Sequence, residues 1–235
     1  MARSDPESST VEAAPALTRK ALAGLSPQRV FHGRNLSKAD VSMYRFDGRP
    51  VAVKDYGRRP FFARHTVGRL LVRRECRAYE AAGLLPGLAP FLGRLGPYTL
   101  ATGWIEAIPL ADLPRGAAGP AIFDQLDAVI ASLHARGVAV GDLHHRDVLV
   151  SAQGSVHVVD FAAAYVLAPR PTPLARRVFE HLCAQDRLAA ARMRARFTGG
   201  SEHEALAELD PATVRLWGAG RRLKALWDRL RGKRA

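Results

Sequence analysis

The stretch GVAVGDLHHRDVLV, residues 137 to 150, sets Asp142, His144, His145 and Asp147 between two runs rich in valine. Asp160 follows at the end of VHVVD, where that strand should stop. Acidic groups at a strand end beside a tight loop can converge on one point. Carboxylates held together repel unless a cation lies between them, and oxygen ligands of this kind suit Mg2+. Taken one at a time, each reads first as a turn or capping aspartate.

Lys54 shifts that balance. In VAVK strict alternation sends Val51 and Val53 to one face of a strand and Ala52 and Lys54 to the other. A planar ring could rest on Ala52 while the ammonium reaches a phosphate. Glu75, in LLVRRECRAYEAA, shares a helical face with Leu71, Ala78, Tyr79 and Ala82. A carboxylate on an apolar stripe is costly unless paired, and Lys54 is the expected partner. Glu80, with Cys76, Arg77 and Leu84 at helical spacing, is the alternative carboxylate.

The elements that must position these groups follow from the pattern around them. QRVFHG (28 to 33), DVSMYRFDG (40 to 48) and RPVAVKDY (49 to 56) are short and β-prone, with a hairpin turn signal at DGRP. Residues 61 to 82 turn helical, and PFLGRLGPY and TLATGWIEA form a second strand pair. PAIFDQLDAVIASLHAR, 120 to 136, puts Ile122, Leu126, Val129, Ile130 and Leu133 on one face, with Pro120 at its start and Gly137 at its stop. His134 on this helix is expected to be structural. Two strands about an Ala-Gln-Gly turn occupy 148 to 161, and helical sequence runs on from there. Strands gather in the first half and helices in the second, an α+β pattern with a hinge near EAIPLADLP, 106 to 114.

The chain has 235 residues, 48% of them apolar, sufficient for a sizeable core, and a formal net charge of +13. That excess fits an anionic partner, and equally an arginine-rich coding bias. Cys76 and Cys183, the only cysteines, lack disulfide or metal-ligand spacing and point to a reducing cytoplasm. The first fifteen residues lack the basic start and apolar run of a signal peptide. No apolar run approaches the ~20 residues of a membrane span, so membrane contact would be peripheral, at the inner face. VRLWGAGRRLKALWDRLRGKRA, at the C-terminus, can align Leu216, Leu223, Leu226, Trp227 and Leu230 beside a basic face that suits an anionic membrane. A helix packed on its own lobe with that face solvated fits the same pattern. Nucleic acid is the less favoured anionic partner.

Lysine, helix glutamate, loop aspartate and two metal-type aspartates stand in the order of the protein-kinase-like fold, which the chain resembles from about residue 28 to 165. VAVK looks like the Val-Ala-Ile-Lys strand, GDLHHRD like the catalytic loop and VDFA like Asp-Phe-Gly. More narrowly, VGDLHHRD and the compact length resemble the bacterial lipopolysaccharide core sugar kinases and the RIO-type serine/threonine kinases. GDLH also begins this loop in small-molecule kinases such as aminoglycoside phosphotransferases.

The resemblance implies a compact bilobal fold: a tail at 1 to 20, expected to be disordered, a small β-rich N-lobe at 21 to 105 and a shortened, mostly helical C-lobe at 106 to 235. It implies transfer of the γ-phosphoryl of ATP to a hydroxyl, with Asp142 as base, Asp160 and Asp147 on Mg2+, and Lys54, held by Glu75, on the phosphates. Backbone groups from Gly103 to Ile105 would hold adenine. His144 and His145 would pack the loop or touch substrate.

The sequence departs from the family pattern in several places. HGRNLSKAD carries one glycine where protein kinases have three, so Ser37, Lys38 and loop N–H groups would meet the phosphates. Asp147 stands where asparagine is usual, and Ala162 where glycine is. No arginine precedes Asp142, and only about a dozen residues separate Asp160 from the next helix, near Thr172. Both features favour a sugar or glycolipid acceptor over a protein hydroxyl. A RIO-like protein kinase or ATPase and a nucleotide-binding pseudokinase are the alternatives.

Overall fold

The computed structural model describes residues 17–33, 38–114 and 117–201. Ser37 and the C-terminal basic stretch lie outside them. A short helix, α1 (Arg19–Ala23), begins at the end of the segment expected as a tail, and Thr18 caps it by accepting from Ala21 N–H.

Five antiparallel strands form the first sheet: β1 (Arg29–Phe31), β2 (Asp40–Phe46), β3 (Arg49–Asp55), β4 (Phe91–Gly96) and β5 (Thr99–Gly103), in the order β1-β2-β3-β5-β4. Phe46 pairs with Arg49, so the β2–β3 turn is Asp47-Gly48 alone. Both residues have positive φ, 50° and 70°, the conformation whose twist matches a two-residue hairpin. Val51 and Val53 are buried on one face of β3 as alternation requires, and Ala52 and Lys54 share the other.

The helical stretch expected at 61 to 82 is continuous in three parts. These are α2 (Phe61–Ala63), a wider π turn (Arg64–Gly68) and α3 (Arg69–Ala82). Gly68 is needed at the junction because a Cβ there would meet Tyr56 Cβ at 3.0 Å. Val72 and Cys76 of α3 pack with Tyr56 and Leu100 under the sheet, while Ala78, Tyr79 and Ala82 join the larger core below. One helix therefore ties both clusters together.

The expected strand TLATGWIEA is shorter than its pattern. β5 stops at Gly103, and the chain re-enters a different sheet as β6 (Ala107–Pro109), inside the stretch expected as a hinge. β6 pairs with β8 (Val148–Ser151), which pairs with β9 (Val156–Val158). Between them come α4 (Pro120–Ala135) and the two-residue β7 (Val138–Ala139), whose partner is β10 (Tyr165–Val166). Phe123 replaces Ile122 as the deepest residue at the start of α4, with Leu126, Val129, Ile130 and Leu133 buried as expected. α5 (Pro173–Thr198) is a 26-residue helix started by Thr172, whose hydroxyl accepts from Ala175 N–H. No helix among the described residues is long and apolar enough to cross a membrane.

Candidate active site

Lys54 Nζ sits at the centre of the polar cluster. It donates to both oxygens of Glu75, at 3.0 and 2.8 Å, and to Asp160 Oδ1 at 2.7 Å. Strand β3 supplies the lysine and α3 the glutamate, which is buried on the apolar stripe that the helical spacing predicts. Burial works against the ammonium, but the Glu75 and Asp160 carboxylates outweigh it and hold Lys54 well above its ordinary pKa. Glu80 is exposed and takes no part.

Asp160 lies two residues beyond β9 with a φ of 69°, a left-handed conformation that aspartate tolerates better than most side chains. Its second oxygen accepts from Lys38 Nζ at 2.9 Å. Burial opposes the charge, yet the two ammonium groups hold the carboxyl far below the usual carboxylate range. Phe161 beneath it is buried edge-on against Tyr79, with ring centres 5.0 Å apart. Ala162 has no positive φ, so the position needs no glycine. Arg74 of α3 donates to the carbonyls of Ala163 and Ala164, tying this turn to the helix that carries Glu75.

Asp147 completes the set from the other side. Val159 N–H donates to Asp147 O at 2.8 Å, which fixes the two aspartate-bearing segments against each other. Lys38 and Lys54 balance Glu75 and Asp160, and Asp147 is one negative charge too many. Burial first, and then the Asp160 charge, push its carboxyl up to about 7. Asp142 also contributes to that rise, and its own side chain is exposed.

The loop bearing Asp142 is anchored from below by a residue that the sequence pattern had not singled out. Asp186 of α5 accepts from the backbone N–H groups of Val140 and Gly141, at 2.8 and 2.9 Å, and pairs with His134 Nε2 at 3.0 Å. His134 is thus a structural support, as expected. Gly141 has a φ of 81°, and a Cβ there would stand 2.8 Å from Ala163 O, so the loop and the turn after Asp160 touch backbone to backbone. The rings of His144 and His145 lie 4.0 Å apart, tilted by 35°, and neither lines the cleft that holds Lys54.

That cleft has a volume of about 500 Å³. Ala52, Val41, Leu149 and Val159 form apolar walls, and Lys38, Lys54, Glu75, Asp147 and Asp160 form the polar end. Gly103 and Ile105 line it. Gly103 N–H, however, is bonded to Pro90 O and Trp104 N–H to Pro50 O, so both donors are already committed. Above the polar end, Gly33 N–H and Arg59 both reach Asp40 Oδ1, at 3.0 and 2.7 Å. Burial opposes the Asp40 charge, but these donors hold its carboxyl below the ordinary value and pin both ends of the glycine-poor loop.

Among the described residues no group of three or more His, Cys, Asp or Glu side chains is arranged to hold a metal ion. Asp147 and Asp160 alone fit a Mg2+ ion only if it takes its other ligands from phosphates and water, which is that ion's usual habit. The surplus charge at Asp147 is the observation that favours such a cation.

No protein-family model matches the sequence, and no curated protein matches it. Solved structures do. The Rio2 kinase-ADP/Mg2+-phosphoaspartate complex from Chaetomium thermophilum aligns with a TM-score of 0.54 at 16% identity, covering 89% of this chain and 72% of that one. The Rio2 kinase from the same organism aligns with a TM-score of 0.55 at 15% identity, over 80% of this chain and 63% of that one. At such identity the likeness is one of fold: an α+β, protein-kinase-like architecture with a β-rich N-terminal sheet.

Proposed function

We propose that this chain is an ATP-dependent phosphotransferase that moves the γ-phosphoryl group to a hydroxyl of a sugar or glycolipid. The observation that carries this is Lys54, bonded at once to Glu75 and Asp160 at the polar end of a cleft whose other walls are apolar. Ala52 and Leu149 both line this cleft and would flank an adenine ring, with the triphosphate toward Lys54 and Lys38. Mg2+ bound by Asp147 and Asp160 would neutralise the phosphates and polarise the transferred group. Asp142 takes the proton of the acceptor hydroxyl as the new O–P bond forms, the bond from the γ-phosphorus to the bridging oxygen breaks, and ADP leaves.

The sugar or glycolipid acceptor rests on the short connection between Asp160 and α5, which holds only β10 and a turn and has no long segment to dock a peptide. The chain would work in the cytoplasm, at the inner membrane face if its basic C-terminus binds anionic lipid. The structural likeness to Rio2 favours a second reading, a RIO-like protein kinase or ATPase, since one Rio2 complex carries ADP, Mg2+ and a phosphoaspartate. Labelled ATP incubated with fractionated cell envelope and protein separates the two. Label in a saccharide or lipid fraction supports the first. Orthophosphate release without an acceptor, or label retained on the chain, supports the second. Nucleotide binding with no turnover makes the chain a pseudokinase.

A further inference from the structure

The helical stretch after β3 carries an exposed apolar ridge. Phe61, Phe62, Val67 and Leu70 are all exposed, Phe62 at 81% and Phe61 at 61%. Single exposed apolar side chains are ordinary, but a cluster of them on one element marks a contact surface. The inner side of this element is settled by packing: Gly68 lies against Tyr56, and Val72 and Cys76 pack under the sheet. Phe62, Thr66, Val67, Arg69, Leu70 and Arg73 are left exposed. The π turn from Arg64 to Gly68 helps to align them. It bonds residues five apart and so brings Val67 toward the side of Phe62, where an α-helix would turn it away.

The charge on this stretch has one sign. Between Tyr56 and Glu75 the chain holds Arg58, Arg59, Arg64, Arg69, Arg73 and Arg74, and no aspartate or glutamate. Three of the six are committed. Arg59 pairs with Asp40, Arg64 donates to Gly57 O beside the Phe61 ring, and Arg74 holds the carbonyls of Ala163 and Ala164. Asp55 is taken up by Gly57 N–H and the Thr99 hydroxyl. Arg58, Arg69 and Arg73 are exposed and pair with no carboxylate of the described residues, and the Arg69 guanidinium lies 5.4 Å from the Tyr98 ring centre.

An apolar ridge flanked by exposed guanidiniums fits a partner that is anionic outside and apolar within. A second copy of the chain would set arginines against arginines, and residues 211 to 235, with eight basic side chains and one acidic, carry the same sign. Nucleic acid matches the charge and can stack on the phenylalanines, but it offers nothing to Val67 and Leu70. An anionic bilayer supplies both needs, headgroup phosphates for the arginines and acyl chains for the apolar side chains. We infer that this face is a docking surface for an anionic membrane, with Phe61, Phe62, Val67 and Leu70 entering the headgroup boundary and Arg69 and Arg73 held by the phosphates. The contact needs no nucleotide, is independent of the phosphotransferase reading, and lies far along the chain from the basic C-terminus.

Flotation of the full chain with vesicles of phosphatidylglycerol in phosphatidylcholine tests this. Wild type is expected to float with these vesicles and not with pure phosphatidylcholine. Arg69→Gln with Arg73→Gln should weaken binding about thirtyfold, the worth of two basic side chains near the surface, and Arg69→Lys with Arg73→Lys should keep it. Phe61→Ser with Phe62→Ser should weaken it at least about tenfold. All four residues are exposed, so folding should be undisturbed, which circular dichroism checks. The basic C-terminus can also meet the vesicles, so a local readout is added: Phe62→Cys carrying a nitrobenzoxadiazole dye, placed selectively because Cys76 and Cys183 are buried. Its emission should shift to the blue on anionic vesicles. No vesicle binding, binding without that shift, or binding indifferent to the phenylalanine pair overturns the inference. Arginine-dependent binding of single-stranded RNA in place of vesicles overturns it in favour of nucleic acid. A dimer lost in Phe61→Ser with Phe62→Ser, without vesicle binding, overturns it in favour of a second copy.

Discussion

Lys38 donates to Asp160 Oδ2 at 2.9 Å across 122 residues of chain, which ties the residues just before β2 to the turn after β9. In a typical glycine-rich loop, backbone N–H groups approach the phosphates. On the phosphotransferase reading proposed above, a nucleotide would draw Lys38 from Asp160 onto itself. Lys38→Ala is expected to weaken ATP binding about tenfold, the worth of one charge-assisted hydrogen bond. The loss should shrink as salt rises, because the Lys38 side chain is about half exposed, 54%. A fluorescent nucleotide titration at two ionic strengths checks both effects, and an unchanged Kd removes Lys38 from the site.

Asp147 makes stability depend on pH in a direction opposite to most carboxylates. Folded, it keeps its proton up to about 7, whereas its ordinary value is 3.8. Between those values the folded state binds more protons than the unfolded chain, so stability falls as pH rises through that window and levels off above it. Each unit of separation is worth about 1.4 kcal/mol. Urea midpoints from pH 4 to 8 should therefore decline more steeply for wild type than for Asp147→Asn. Parallel curves would show that Asp147 carries no surplus charge.

Asp186 is expected to matter for folding and turnover together. Asp186→Ala leaves the buried Val140 N–H without an acceptor, at a cost of about 1–3 kcal/mol, and the half-buried Gly141 N–H at a smaller one. Unfolding by urea measures that loss. In the surviving folded fraction the turnover number should drop while the ATP Kd stays near wild type, since Asp186 positions the Asp142 loop and not the nucleotide cleft. A normal turnover number in Asp186→Ala would make it a stabilising residue only.

The residues of the polar cluster were legible because local rules expose them. Alternation put Lys54 beside Ala52, and a carboxylate on a helical stripe marked Glu75. The same signal was present at Asp186, which shares its face of α5 with Cys183, Ala190 and Met193, all buried. A search for buried carboxylates along every helix would have found it. Lys38 was expected to meet phosphates, but its reach to Asp160 is a tertiary contact between the segment just before β2 and the turn after β9. β6, β7 and β10 escaped notice because strands of two or three residues have no period of their own and are defined by partners far along the chain. The commitment of Gly103 N–H and Trp104 N–H to proline carbonyls is likewise a matter of tertiary contact.

The most direct measurement is transfer of label from γ-labelled ATP to cell-envelope saccharide and lipid by wild type and by Asp142→Asn. Asp142 is exposed and the replacement nearly isosteric, so the variant should fold and bind ATP as wild type does. Wild type is predicted to label a hydroxyl-bearing acceptor, and Asp142→Asn to lose at least about a hundredfold of that rate, the contribution expected of a general base. Equal labelling by the two proteins, or none by wild type that demonstrably binds ATP, would contradict the account.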